Sequence, residues 1–115
     1  MPFKKGDVVL VLFPNSDLVS VKLRPALVVQ ANNLNTGLPQ TIIALITSKL
    51  SRAGHASRIA VDITTPEGQQ TGLLSNSVIV TDNLATVRND EIRRGLGVFP
   101  DAALLDAALR HTFGL

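Results

Sequence analysis

The apolar positions of this chain fall in short runs separated by polar turns, and only the last stretch has helical spacing. Val8–Phe13 reads VVLVLF. A run this short and this rich in Val predicts a strand covered on both faces. Pro14–Asp17 (PNSD) is a cluster of turn formers, and Pro25–Gln30 (PALVVQ) predicts a second strand. Ala31–Gln40, with Asn32, Asn33, Asn35, Gly37 and Pro39, is a loop. Thr41–Thr47 (TIIALIT) has β-branched residues at five of seven positions and predicts a third strand. After the polar, cationic stretch Ser48–Ser57, Arg58–Ile63 predicts a fourth strand. The turn-rich segment 64–72 leads to Ser77–Thr81 as a fifth, with Leu84–Val87 as a sixth.

Beyond this the signals become helical. Asn89–Gly95 (NDEIRRG) has a cap residue, acids at its start, arginines at its end and a glycine after them, which predicts a short helix. In DAALLDAALRHTFG, Leu104, Leu105, Ala108, Leu109 and Thr112 recur at helical spacing, with Asp101 to cap the start and Gly114 to end it. Short strands followed by one helix imply a small curled antiparallel sheet closed by that helix, a compact barrel of five or six strands. No repeat, linker or low-complexity segment interrupts the chain.

Composition narrows this picture. At 115 residues the chain fits one domain, spanning 1–115, able to support its own core. Cysteine is absent, which excludes disulfides and thiolate metal sites. The acids are scattered and the two histidines lie far apart in sequence, so no metal-ligand set is recognisable and no cofactor is expected. The N-terminal run is too short for a signal peptide and nothing approaches a membrane span, so a cytoplasmic location is expected. A net charge of +2 and a pI of about 9.5 permit a polyanionic partner. Four Phe and no Trp or Tyr disfavour base stacking on an aromatic platform. Any nucleic-acid chemistry would rest on charge and hydrogen bonds.

The candidate chemistry lies around the second and third strands. Arg24 precedes Pro25, which favours extended geometry at Arg24. A guanidinium held there can grip a phosphate and spread over developing negative charge. The structural alternative is a solvated Arg, or one paired with Asp17 across a hairpin. Thr47 and Ser48 put adjacent hydroxyls where a strand leaves the core, able to donate to a phosphate oxygen; they are also common strand-end residues. No base adjoins them in a nucleophile motif, so a covalent serine mechanism is not expected. Lys49, Arg52, His55 and Arg58 recur along a loop at a spacing that can track a phosphate backbone, or can simply protect a sheet edge. His55 is a possible acid or base; Lys22 adds positive field beside Arg24.

Taken in order, GDVVLVLFP (Gly6–Pro14), RPALVV (Arg24–Val29), ALITS (Ala44–Ser48) and SVIVTDNLATV (Ser77–Val87) resemble the MazF/PemK/Kid family of bacterial toxins. The resemblance covers nearly the whole chain, including the last helix. It implies a mainly β fold with a C-terminal helix, an SH3-like barrel that dimerises. It implies a metal-independent endoribonuclease that cuts single-stranded RNA at short motifs and is neutralised by a cognate antitoxin. The family's catalytic pair falls on Arg24 and Thr47, with Ser48 assisting. The group that takes the 2′ proton is left open: Asp17 is one candidate and His55 another. Lys22, Lys49, Arg52 and His55 would contact RNA. The chain departs from many relatives in having Leu23 directly before Arg-Pro and Ala85 where they carry an arginine. Two alternatives share the barrel. A toxin that inhibits a protein such as DNA gyrase would have no need of the Arg24–Thr47 pair. A peptide-binding module would need the aromatic groove that this composition lacks.

Overall fold

The computed structural model describes residues 3–13 and 19–115, with the backbone alone of Pro14. Its strands are β1 (Asp7–Pro14), β2 (Val21–Val28), β3 (Gln40–Thr47), β4 (Arg58–Val61), β5 (Ser77–Arg88) and β6 (Ile92–Val98). They form one sheet in the order β4-β5-β3-β2-β1-β6, with antiparallel pairs throughout. Two helices complete the fold, α1 (Pro66–Gln70) and α2 (Ala102–Phe113).

The apolar runs of β1 and β3 follow from a sheet buried on both faces. Successive strand residues point to opposite sides, and both sides are covered here. Val8, Leu27, Ala44, Ile46 and Ile79 pack with Leu105 and Ala108 of α2 on one face. Val9, Val11, Ala26, Val28, Ile43, Val87 and Ile92 form a smaller core on the other. Val8 and Val9 are both fully buried, so neither face of β1 tolerates a polar residue at its centre. Helix α2 starts and ends as its sequence predicts. The Asp101 carboxylate accepts the Leu104 N–H at 3.0 Å, and Gly114 closes the helix in the left-handed region at φ 69°.

The segment 64–72, expected as a turn-rich connection, holds the short helix α1, and three further elements differ from the sequence expectation. β2 begins at Val21 and not Pro25, so Lys22 and Arg24 belong to the strand itself. Their exposure hid this: the first three residues of β2 are exposed and burial begins only near Arg24. The expected fifth and sixth strands are one strand, β5, broken only by a bulge. Its pairing with β3 jumps from Leu45↔Val80 to Ala44↔Leu84, so Thr81, Asp82 and Asn83 have no β3 counterpart. The helix expected over Asn89–Gly95 is a single 3-10 turn, Asn89–Glu91, followed by β6. Ile92 is drawn into the smaller core, and β6 pairs with β1, which outweighs the weak helical preference of the short NDEIRR stretch.

Candidate active site

Strand order puts the two expected catalytic residues on neighbouring strands, Arg24 on β2 and Thr47 at the end of β3. β2 pairs with β3 as Ala26↔Leu45, Leu27↔Ala44 and Val28↔Ile43. The β2–β3 pairing ends at Ala26↔Leu45: Arg24 is paired with Val11 of β1, and Thr47 with Val78 of β5. Parity puts Arg24 and Thr47 on the face of the smaller core, since Arg24 follows Ala26 and Val28, and Thr47 follows Ile43. Lys22 has the same parity as Arg24 and extends the cationic edge; Leu23 points to the other face and is 44% exposed.

A cavity of about 250 Å³ opens beside Arg24, lined also by Phe13, Leu45, Asn83 and Ala85. Ala85 marks the position where the resemblance expects an arginine, and its small side chain leaves that part of the cavity uncharged. Asn83 was not singled out from sequence. The β5 bulge directs it there. Its neighbours hold the bulge: Thr81 is fully buried and its hydroxyl donates to the Ser57 carbonyl at 2.6 Å. Asp82 accepts from Arg58 at two points, Nε at 3.3 Å and Nη2 at 3.0 Å. The only sequence signal for Asn83 was the polar TDN interruption in an otherwise apolar strand.

The Thr47 hydroxyl is oriented by the next turn. The Lys49 N–H donates to Thr47 Oγ1 at 3.2 Å, which occupies a lone pair and leaves the hydroxyl proton to be donated elsewhere. Ser48 is exposed directly after it, and Lys49 and Arg52 are exposed on the 3-10 turn Leu50–Arg52 and its start.

Other expected members fall elsewhere. His55 belongs with α2: its ring meets His111 edge-on at 5.6 Å and 70°. Its Nδ1 accepts the Ser57 N–H at 3.1 Å. Helix α2 covers the face opposite to Arg24 and Thr47, so His55 is not brought to them. Arg58 serves the β4–β5 pair through Asp82 and the Arg52 carbonyl, the latter at 3.3 Å. Asp17 lies outside the described residues. Among the described residues no group of three or more His, Asp or Glu could hold a metal ion. No helix is long and apolar enough to cross a membrane.

The Arg58–Asp82 pair gives a pH prediction. The hydrogen bonds from Arg58 hold the Asp82 carboxyl below its ordinary value; Thr64 does the same for Asp62, and Lys5 for Asp106. A carboxyl depressed on folding stabilises the protein above its unfolded pKa, about 3.9, and loses that contribution as pH falls through the folded value. Tm is therefore expected to fall as pH drops below about 4. Asp82→Asn should lower Tm at neutral pH and narrow the Tm difference between neutral and acid buffer, measured by thermal melts.

The fold and cavity define a small curled β protein with an arginine and a hydroxyl on its two central strands, β2 and β3. The family model for the PemK-like, MazF-like toxin of type II toxin-antitoxin systems matches residues 4–112, and the chain belongs to that family. Solved structures agree on the fold. The Mycobacterium tuberculosis toxin MazF-mt6 is 23% identical, with a TM-score of 0.72 over 95% of this chain and 97% of that one. An endoribonuclease in complex with its cognate antitoxin, from a mycobacterial species, is also 23% identical, with a TM-score of 0.72 over 98% and 96%. The MazE–MazF complex of Deinococcus radiodurans is 19% identical, with a TM-score of 0.72 over 100% and 99%. Comparison with curated protein sequences finds no match.

Proposed function

We propose that this toxin is an endoribonuclease that cleaves single-stranded RNA without a metal, by attack of the RNA's own 2′-hydroxyl. The observation that supports the reading is that Arg24 and Thr47 lie on neighbouring strands with the same parity, and so on the same sheet face. In the reaction the 2′ oxygen bonds to phosphorus as the bond to the 5′ oxygen breaks. The 2′ proton passes to a base and the leaving oxygen gains a proton. The products are a 2′,3′-cyclic phosphate and a 5′-hydroxyl. Arg24 stabilises the charge that builds on the phosphoryl oxygens, and Thr47 donates a hydrogen bond to one of them. Ser48 adds a second hydroxyl at the strand end. Lys22, Lys49 and Arg52 contribute phosphate contacts and field. The proton acceptor in this reading is Asp17, which falls between β1 and β2 in sequence, because His55 is engaged on the α2 side.

The protein works in the cytoplasm as a homodimer and is held inactive by a cognate antitoxin. This follows the family and the similar structures, two of which hold a toxin with its antitoxin. Two results test the chemistry. RNA carrying a 2′-deoxy sugar at its cleavage position should resist cleavage completely. Thr47→Val keeps the side-chain volume and removes the donor, and should slow single-turnover cleavage about 10- to 100-fold. Cleavage of the deoxy substrate at the normal rate would overturn the proposed nucleophile.

A further inference from the structure

Only two of the five residues lining the cavity beside Arg24 are polar, Arg24 itself and Asn83; Phe13, Leu45 and Ala85 are apolar. A phosphate held there meets the guanidinium from β2 and, on the β5 side, the Asn83 amide alone. Asn83 is exposed, and among the described residues none bonds its side chain. A primary amide carries two N–H donors, which suit a phosphoryl oxygen.

What holds the amide in place lies on the α2 side of the sheet. Thr81, Asp82 and Asn83 are the bulge residues that have no β3 counterpart. Thr81 is fully buried, and its hydroxyl meets three groups. It donates to the Ser57 carbonyl at 2.6 Å, lies 2.9 Å from the Thr112 hydroxyl and lies 3.3 Å from the Ala108 carbonyl. The Thr81 N–H donates to the same Ser57 carbonyl at 3.0 Å. One hydroxyl thus ties the end of the β3–β4 loop, the bulge and the last turns of α2 together. A buried hydroxyl is costly unless it is bonded, and a valine would fill the same space without that demand. A bulge fixed in this way re-aims the side chain that follows it.

We infer that Asn83 is a second donor to the cleaved phosphate, acting with Arg24, and that Thr81 is its positioning residue. The inference rests on the ribonuclease reading. The Asn83 –NH2 donates to a phosphoryl oxygen as negative charge builds on it. Such a donor assists most when it is already aimed, because an exposed amide that must be ordered during the reaction loses side-chain entropy at that moment. The Thr81 junction fixes the backbone two residues away, so the amide is placed before RNA binds. A merely solvated amide on the bulge would give the buried hydroxyl no part in cleavage.

The test is a double-mutant cycle on full-length protein. It is read as the single-turnover rate of cleavage of single-stranded RNA by a saturating excess of protein, with Tm alongside. Asn83→Ala should slow cleavage about tenfold at an unchanged Tm. Thr81→Val keeps the side-chain volume, and the Thr81 N–H still holds the Ser57 carbonyl. It should slow cleavage about three- to tenfold, and Thr81→Ser, which keeps the hydroxyl, should recover most of that rate. The double variant should be slower than Asn83→Ala alone by no more than about twofold, because Thr81 acts through Asn83. If Thr81→Val does not fold, Thr112→Val removes the partner hydroxyl at a half-buried position and takes its place in the cycle. Wild-type rate in Asn83→Ala would overturn the donor, and losses that multiply in the double variant would overturn the positioning role. Both outcomes leave cleavage by the wild type standing. A folded wild type that cleaves no RNA would instead overturn the ribonuclease reading and this inference with it.

Discussion

Arg24→Ala is expected to lower the single-turnover rate of RNA cleavage by about 10²- to 10³-fold while the protein stays folded. Arg24 is half-buried at the mouth of β2, and the residues that anchor that strand, Ala26 to Val28, lie deeper. The side chain is therefore removable without opening the core. What the variant loses is a preorganised planar cation where charge accumulates on phosphorus. Arg24→Lys distinguishes charge from geometry. A lysine keeps the charge and loses the bidentate fork, so it should recover only part of the lost rate. Full activity in Arg24→Ala, with an unaltered melt, would remove Arg24 from the mechanism.

Gly97→Ala should destabilise the fold by about 3 kcal/mol, the upper end of the usual cost of overpacking. A Cβ at Gly97 would stand 2.2 Å from the Gln70 carbonyl oxygen and 2.6 Å from the Thr71 carbonyl carbon. Both contacts are backbone, so no side chain can swing aside. The partner position Gly72 has φ 71° and would put a Cβ 2.0 Å from the Leu96 oxygen, so the same contact is closed from both sides. At this size the loss should appear as a fall in Tm of about 10–20 °C. A melt within a degree or two of wild type would show that β6 and the α1 segment are not pressed together in this way.

The sequence showed most where burial is symmetric. β1 and β3 were legible because both faces of each are covered, which leaves an unbroken apolar run. Helix α2 was legible because its cap, its apolar spacing and its closing glycine agree. The start of β2 was obscured because Val21, Lys22 and Leu23 are exposed and carry no burial signal. β5 was divided in two because Asp82 and Asn83 read as a turn. In the fold they form a bulge held by Arg58 and by the buried Thr81. β6 was taken for a helix because NDE followed by two arginines mimics helix-end chemistry. The long-range pairing with β1 that decides its state has no local signature. The expected pair Arg24 and Thr47 came from the residues and their resemblance. That they share one face of neighbouring strands needed the register of β2 on β3. The placing of His55 against His111 needed the packing of α2, which no sequence spacing encodes.

The most direct test is cleavage of a long single-stranded RNA by purified protein in excess EDTA, with Arg24→Ala in parallel and the product ends identified. The account predicts cleavage by the wild type alone, leaving 2′,3′-cyclic phosphates and 5′-hydroxyls. Absence of cleavage by the folded wild type across several RNAs, or products ending in 5′-phosphates, would contradict it.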